Sequence, residues 1–485
     1  MQVDAVRTTG IYCRADCSAS PLTHNVTHYS NQVAAEVAGF RACLRCHPER
    51  RAGSLADLDV PAPVGAALAR INDGYLDDHD EETLAAQVGY SARQLRRLFE
   101  EHVGATPTTI ARSRRAHFAR CLIDDTDLTF AEVARAAGFS GSRQLHRAMT
   151  SVFCFTPTEL RSKRLRGEHP ELDGGLMLAL PALMPYDFGT FLAHQECRAI
   201  PGVEAIAGDE SASTYARGFS ACGYPGIAEV AASPDGRSDH LHLRLHLPTY
   251  DSIIDAVGRA RVLLGTDEDP APAASVLGDD PVVGPLVQAT PGLRVPRSWD
   301  RFETAIRIIV GQQISLAAAT TLSGRIAERF GTAINPVLEC CNDVVVPLTH
   351  LFPGAATLAD AGTAAFGGLG FTQQRIRTIV SFSEAVASGE LDLTAIDTLE
   401  ATVARLCELE GVGPWTAHLI AMRVFGHDDA FPASDLGLRR SAERLVGHPV
   451  SARELEALAE SWRPYRSWAA QYLWHASHPS TASIR

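Results

Sequence analysis

The sequence predicts a multidomain protein, mainly α with α+β parts, and three observations carry that prediction. At 485 residues the chain exceeds what one hydrophobic core ordinarily serves, since domains run to about 100–200 residues. A helix, tight turn, helix pattern occurs twice in the first third, at 84–107 and again at 133–157. A perfectly alternating stretch, "HLHLRLHL" at 240–247, then marks a strand ahead of long segments with helical spacing. Four parts follow in order: a small four-cysteine domain over 1–52, a tandem helix-turn-helix over 67–166, an α+β sheet domain over 176–290 and a helical domain over 291–485.

Composition narrows the function. Hydrophobic residues make up 46% of the chain and charged residues 21%, ordinary for a protein folded around apolar cores. No run approaches the ~20 apolar residues of a membrane span, and "MQVDAVRTTG" holds no apolar export segment, so the expectation is a cytoplasmic protein with no membrane partner. The formal net charge of −13 conceals two basic patches: residues 86–120 hold seven Arg against two Glu, and 135–166 hold seven basic residues against one Glu. Local patches set the potential that a phosphate meets, which points to nucleic acid despite the acidic sum.

Four of the 11 cysteines crowd into two close pairs, Cys13 with Cys17 and Cys43 with Cys46. The others (Cys121, Cys154, Cys197, Cys222, Cys340, Cys341, Cys407) are scattered, as small core residues are. In a reducing compartment such pairs read as ligands of one tetrahedral zinc ion, each pair gripping one edge. Four unrelated core cysteines and a purely structural zinc knuckle are the alternatives. The stretches "RTTGIYCRADC" and "AAGFRACLRCHP", however, resemble the N-terminal domain of the Ada family. That resemblance implies that all four thiolates hold zinc and that Cys13 is also a nucleophile, taking a methyl group from a methylphosphotriester in DNA. A four-thiolate zinc centre carries a charge of about −2, which keeps a thiolate ionised and repels a DNA backbone. Methylation would lower that charge and turn repair into an affinity switch, once per molecule.

In the middle of the chain, "LAAQVGYSARQLRRLFEEHVGATP" (84–107) aligns with "VARAAGFSGSRQLHRAMTSVFCFTP" (133–157) after one inserted residue. Each copy has a short amphipathic helix ending at Gly, a Ser placed to cap, and a second helix with apolar spacing of three and four: Leu95, Leu98, Phe99 in one and Leu145, Met149, Phe153 in the other. The second helices offer Arg93, Arg96 and Arg97, and then Arg143, His146 and Arg147, to successive major grooves. Arginines on such helices can also be only a solvated face. The repeat resembles the AraC-type tandem helix-turn-helix domain, which implies promoter DNA and the transcription machinery as partners.

In the last part, "DEDPAPAA" (267–274) reads as a linker and "RFETAIRIIVGQQISLAAATTLSGRIAERF" (301–330) as helical. The histidines of "HLHLRLHL" read as one solvated sheet face rather than a metal site. "LEGVGPWTA" places Gly411 and Gly413 between two helical patterns, where glycines let first-turn N–H groups meet a phosphate. Asp435 follows Gly413 by twenty-two residues, and "WRPYRSWAAQYLWH" lies beyond. With "PYDF" at 185–188, these stretches resemble the helix-hairpin-helix glycosylases of the AlkA branch (3-methyladenine DNA glycosylase II) over 176–485. The resemblance implies that Asp435 is the catalytic carboxylate, stabilising positive charge on a deoxyribose as an alkylated base leaves double-stranded DNA. A capping or ion-paired Asp is the plainer role. By the same resemblance Trp415 and Trp474 are pocket walls that favour a cationic base, with core tryptophan as the alternative. Gln313 stands where a wedge fills the gap left by the flipped nucleotide, Leu419 and Leu436 replace pocket tyrosines, and the hairpin is given a monovalent cation. Residues 170–485 contain no lysine, which excludes a lysine-dependent lyase. A transcription factor whose glycosylase-like half only binds damage is the other reading.

Overall fold

The structure is a computed structural model. It describes residues 2–14, 17, 23–43, 46, 48, 60–72, 74–163, 175–208, 213–221, 223–233, 239–247, 249–250, 252–334, 348–395 and 397–477. Cys222, Cys340 and Cys341, and the expected boundaries at 52 and 166, lie outside the described residues. The chain divides into two compact units, Met1–Leu183 with His242–Gly258, and Met184–Leu241 with Arg259–Arg485.

The first unit opens with strands β1 (Val3–Val6), β2 (Ile11–Cys13), β3 (Val26–Tyr29), helix α1 (Gln32–Val37) and strand β4 (Arg41–Ala42), in the sheet order β3-β1-β2-β4. β4 runs parallel to β2, pairing Ile11 with Arg41 and Tyr12 with Ala42. Parallel neighbours end on the same side of a sheet, so Cys13 and Cys43 emerge beside each other, with Cys43 N donating to Tyr12 O at 3.0 Å.

Helices α2 (Ala62–Asn72), α3 (Tyr75–Asp78), α4 (Glu81–Gln87), α5 (Ala92–His102), α6 (Pro107–Asp125), α7 (Phe130–Ala136), α8 (Ser142–Phe153) and α9 (Pro157–Lys163) follow. The expected repeat is α4-α5 and α7-α8, with the long α6 between. In both copies the turn passes through a left-handed glycine, Gly89 (φ 78°) and Gly138 (φ 74°), a conformation costly for residues with a Cβ. Ser91 caps α5 in a full capping box with Gln94. In the second copy the inserted residue moves the N-cap to Gly141, and Ser140 instead reaches Gln144 Oε1 at 3.1 Å. Leu95, Phe99, Leu145, Met149 and Phe153 are all buried. Strand β5 (Leu176–Pro181) closes the contiguous part of this unit.

A buried carboxylate ties the four-cysteine part to the helices. Glu36 on α1 accepts from Tyr12 Oη (2.8 Å), from Ser113 Oγ on α6 (2.7 Å) and lies 2.6 Å from His117 Nε2. Its side chain is only 7% exposed. His117 packs edge-on against Phe153 at the end of α8, ring centroids 5.1 Å apart. Asn31, which caps α1, donates to Val103 O at 2.9 Å.

The second unit begins with α10 (Phe188–Glu196), capped by Asp187 of the "PYDF" stretch, and an antiparallel meander of β6 (Glu204–Ala207), β7 (Thr214–Ala221) and β8 (Tyr224–Ala232). Strand β9 (His240–His246) and helix α11 (Ile253–Leu264) span the division between the units. In β9, Leu241, Leu243 and Leu245 are buried as their alternation predicts, but Arg244 is only 3% exposed, so the opposite face is not wholly solvated. Helices α12 (Ala271–Leu277), α13 (Gly284–Ala289), α14 (Arg301–Val310), α15 (Leu316–Phe330), α16 (Ala355–Ala361), α17 (Gln373–Ala387), α18 (Leu399–Cys407), α19 (Pro414–Arg423), α20 (Leu436–Val446), α21 (Ala452–Leu458) and α22 (Arg466–His475) complete it.

The supposed linker at 267–274 belongs to the fold. Glu268 accepts from Arg297 Nε at 2.9 Å and α12 starts at Ala271, because proline opens a helix as readily as it loosens a loop. Buried ions join the meander to α14: Tyr215 Oη donates to Glu204 at 2.6 Å, Arg217 Nη2 to Glu303 at 2.7 Å, and Arg307 Nη1 sits 3.0 Å from Glu204. The helices form two apolar cores, and α19 serves both: Ala417 and Ile420 pack with α14 and α17, Ala421 and Met422 with α20 and α22.

Removing a buried carboxylate strands its donors without partners, which costs more than the net worth of the bonds. Glu36→Ala is expected to destabilise the first unit by about 3 kcal/mol, read as a lowered denaturation midpoint with an unchanged m-value.

Candidate functional site

Two sites emerge, one in each unit. In the first, the Sγ atoms of Cys13, Cys17, Cys43 and Cys46 all lie within 4.8 Å of one another, Cys13 and Cys43 buried and the other two half-buried. The thiols already share a charge: a hydrogen bond from Cys13 holds Cys46 down at about 5, while that same contact with Cys46, followed by burial, pushes Cys13 far above the ordinary thiol value. Ionising all four thiols at this distance requires a cation among them. Thiolates at this spacing are the donor set and geometry that tetrahedral zinc takes.

On the helix-turn-helix pair, Arg93, Arg97, Arg143, His146 and Arg147 are exposed. Arg96 is exposed as well, and its guanidinium pairs with Glu81, Nε to Oε1 at 2.8 Å.

In the second unit α18 and α19 enclose the glycine hairpin. Gly411 has φ 79°, and a Cβ there would lie 1.9 Å from Thr378 Oγ1, so both the turn and its neighbour exclude a side chain. At Gly413 φ is −96° and a Cβ would meet nothing within 4 Å. Gly413 is the N-cap of α19, no side chain caps the helix, and Pro414 occupies its first turn. The leading N–H groups of that turn therefore keep the positive end of the helix dipole uncompensated.

Between α14 and α15, Gln313 is exposed and holds φ 56°, a left-handed conformation that costs about 1 kcal/mol outside glycine. Its neighbour Gln312 fixes this corner to the hairpin. Gln312 Nε2 donates to Gly411 O and to Thr416 Oγ1, both at 2.9 Å, and Arg375 donates to Gln312 O.

Asp435 is the N-cap of α20, accepting from Leu438 N at 2.9 Å through Oδ1. The plainer reading of this Asp as a cap is therefore true, and it is not the whole role. Trp474 Nε1 donates to the same Oδ1 at 3.0 Å, and Trp415 Nε1 donates to Oδ2 at 3.0 Å. Both indoles are half-buried. Three sequence-predicted residues thus meet in one cluster, with the tryptophans acting as donors to the carboxylate. Leu419 is half-buried, and Leu436, beside Asp435, is 53% exposed.

Sequence reasoning missed Gln312, Gly437 and Arg423. A Cβ at Gly437 would lie 3.1 Å from Asp435 Oδ1 and 3.4 Å from Trp474 Cδ1 and Nε1, so the cluster packs close against the backbone there. Arg423 lies over the Trp474 ring, Cζ 5.4 Å from its centroid. The eight-residue step from Trp415 to Arg423 was the available signal, being about two helical turns. No described helix is long and apolar enough to cross a membrane.

Four families match the chain: the metal binding domain of Ada over residues 3–49, a helix-turn-helix domain over 84–163, the AlkA N-terminal domain over 177–300, and the HhH-GPD superfamily of base excision DNA repair proteins over 306–465. The chain is 38% identical over 482 residues to a "probable bifunctional transcriptional activator/DNA repair enzyme AlkA" of Mycobacterium tuberculosis, covering 98% of this chain and 93% of that protein. It is 28% identical over 291 residues to DNA-3-methyladenine glycosylase 2 of Escherichia coli, covering 60% of this chain and 94% of the relative. A solved 3-methyladenine DNA-glycosylase from Archaeoglobus fulgidus shares the fold, with TM-score 0.52, 20% identity, and coverage of 61% of this chain and 97% of that one.

Gly411→Ala is expected to destabilise the second unit by about 3 kcal/mol, since it combines a positive φ with a clash against the Thr378 side chain. The companion Gly413→Ala, with open space at its Cβ, should cost less than about 1 kcal/mol. Thermal unfolding of the two variants side by side checks the contrast.

Proposed function

The chain belongs to the family of bifunctional AlkA/Ada-type transcriptional activators and DNA repair glycosylases, and from that premise we propose how its own residues carry the two activities. The second unit is a DNA-3-methyladenine glycosylase-type enzyme, and its chemistry is assigned to Asp435. The observation that carries this is the three-donor cradle: two indole N–H groups and one backbone N–H fix both carboxylate oxygens. A carboxylate so held does not need to reorganise as charge develops, which is what makes fixed groups effective against an oxocarbenium-like sugar.

In the reaction, the C1′–N bond of the damaged nucleotide breaks and its electron pair leaves with the base. Water adds its oxygen to C1′ and gives up one proton, which passes to the carboxylate and on to solvent. Asp435 faces the sugar through this step, stabilising the positive charge until water has added. Trp415 and Trp474 hold the carboxylate and wall the base pocket. Gln313, exposed on a strained corner tied to the hairpin by Gln312, is the wedge that takes the place of the everted nucleotide. The uncapped first turn of α19, with Gly411 and Gly413, receives a phosphate of double-stranded DNA, and the hairpin carbonyls offer a place for a monovalent cation.

The first unit carries the methyl acceptor. A zinc ion held by Cys13, Cys17, Cys43 and Cys46 would keep the acceptor thiol ionised at neutral pH. Cys13 Sγ attacks the methyl carbon of a methylphosphotriester; an S–CH₃ bond forms, the CH₃–O bond breaks, and the phosphodiester leaves as an anion. The cluster loses one negative charge, so the unit's affinity for DNA rises. Arg93, Arg97, Arg143 and Arg147 then meet promoter DNA, and the transcription machinery is the downstream partner.

Asp435→Asn presents an amide N–H₂ to an indole donor and removes the charge. Release of 3-methyladenine is expected to fall at least ~100-fold while duplex affinity stays within about threefold; release at the parental rate rejects the assignment. Cys13→Ala should abolish methyl uptake from methylphosphotriester DNA and the accompanying gain in promoter affinity. Mass spectrometry of the parent protein after exposure checks this, and a Cys13 peptide without the mass of one added methyl group counts against it.

A further inference from the structure

Trp474 has two ring faces, and one is already taken. The Arg423 guanidinium lies over it at 5.4 Å from the centroid. Arg423 is itself anchored: Nη1 donates to Pro296 O at 2.8 Å and Nη2 to Gln471 Oε1 at 2.7 Å. Gln471, 3% exposed, is held in turn by His194, whose Nδ1 lies 3.3 Å from Gln471 Nε2. The edge of the indole is fixed by its N–H bond to Asp435.

A base stacked on Trp474 therefore takes the face opposite Arg423. Such a base stands about 3.5–4 Å beyond the ring, so its charge and the guanidinium are separated by roughly 10 Å, through protein rather than screening solvent. A cation attracted to the ring also meets a cation behind it. Attraction of a positive base to the indole is worth ~1–2 kcal/mol at best, and like-charge repulsion at this distance, with an effective dielectric near 20, is of the same size. The two effects oppose each other.

We infer that Arg423 is a positioning and specificity-determining residue of the glycosylase site, which sets the Trp474 indole on Asp435 and offsets the pocket's preference for positively charged bases. This rests on the reading of Asp435 as the catalytic carboxylate. The two classes of lesion respond differently to the guanidinium. A cationic base brings a positive charge that persists through bond cleavage, first on the base and then on the sugar, and Arg423 disfavours it throughout. With a neutral base the positive charge on the sugar is balanced by the negative charge the base gains as it takes the bonding electron pair, so there is no net cation for Arg423 to repel.

The test uses the full chain and single-turnover release from two otherwise identical duplexes, one holding 7-methylguanine (cationic) and one holding hypoxanthine (neutral). Arg423→Met and Arg423→Gln are expected to raise the cationic-to-neutral ratio of kcat/KM about 10-fold, whatever the common loss from a less well held indole. Arg423→Lys, which keeps the charge, should stay within about twofold of the parental ratio. Equal losses on both substrates would reduce Arg423 to a packing residue and overturn the specificity role. Absence of hypoxanthine release by the parent protein would overturn it as well. Two uncharged variants guard against one of them failing to fold. Asp435→Asn run in parallel separates the premises: if that variant keeps base release, the reading of the site fails first, and the ratio then speaks only to a different centre.

Discussion

One carboxylate with three N–H donors organises the second unit. Asp435 stands at the start of α20, Trp415 at the start of α19 and Trp474 near the end of α22, so the bonds to its two oxygens join three helices at one point. Burying a charge without partners is costly, and the cluster meets that cost with donors that are themselves rigid: two aromatic rings and a backbone amide. The apolar cores on either side of α19 then fix where these donors begin. The same three donors that satisfy the charge also fix the direction of both carboxylate oxygens.

The first unit uses the same device for a different purpose. Glu36 accepts from Tyr12, Ser113 and the His117 side, and Tyr12 immediately precedes the methyl-acceptor candidate Cys13. The four-cysteine part and the helix that joins the two helix-turn-helix copies are thus held through one buried anion. A change in charge at the cysteines is felt by a body that also carries the arginines of α5 and α8, so a local loss of negative charge can alter DNA affinity without any large rearrangement.

Much of this was legible in the sequence, for reasons that can be named. Paired cysteines, a repeat aligned at near-constant offset, and a Gly-x-Gly ahead of an Asp are local patterns, and each maps to a local structure. What escaped was set by tertiary approach. Gln312 looked like a spare neighbour of Gln313 until its amide was found on Gly411 O and Thr416 Oγ1. Arg96, chosen with Arg93 and Arg97 by helical spacing, pairs with Glu81 from the preceding helix, a contact that spacing within α5 cannot reveal. The segment at 267–274 read as a linker because acidic residues and proline crowd it; the ion pair of half-buried Glu268 with Arg297 joins residues 29 positions apart. The resemblance offered the two tryptophans as pocket walls and says nothing of where an indole N–H points, so their shared bonds to Asp435 emerge only in the structure.

The near absence of lysine closes the argument on mechanism. The chain has 44 basic residues and Lys163 is its single lysine, so almost every cation is a guanidinium. Arginine stays charged when buried, pairs with carboxylates in two-pronged fashion and stacks on rings, and the fold exploits each property: Arg217 and Arg307 against Glu204 and Glu303, Arg297 against Glu268 and Asp428, Arg423 against Trp474. The same property denies the enzyme an amine nucleophile. With no lysine in residues 170–485, no lysine Schiff base to the sugar can form from this part of the chain.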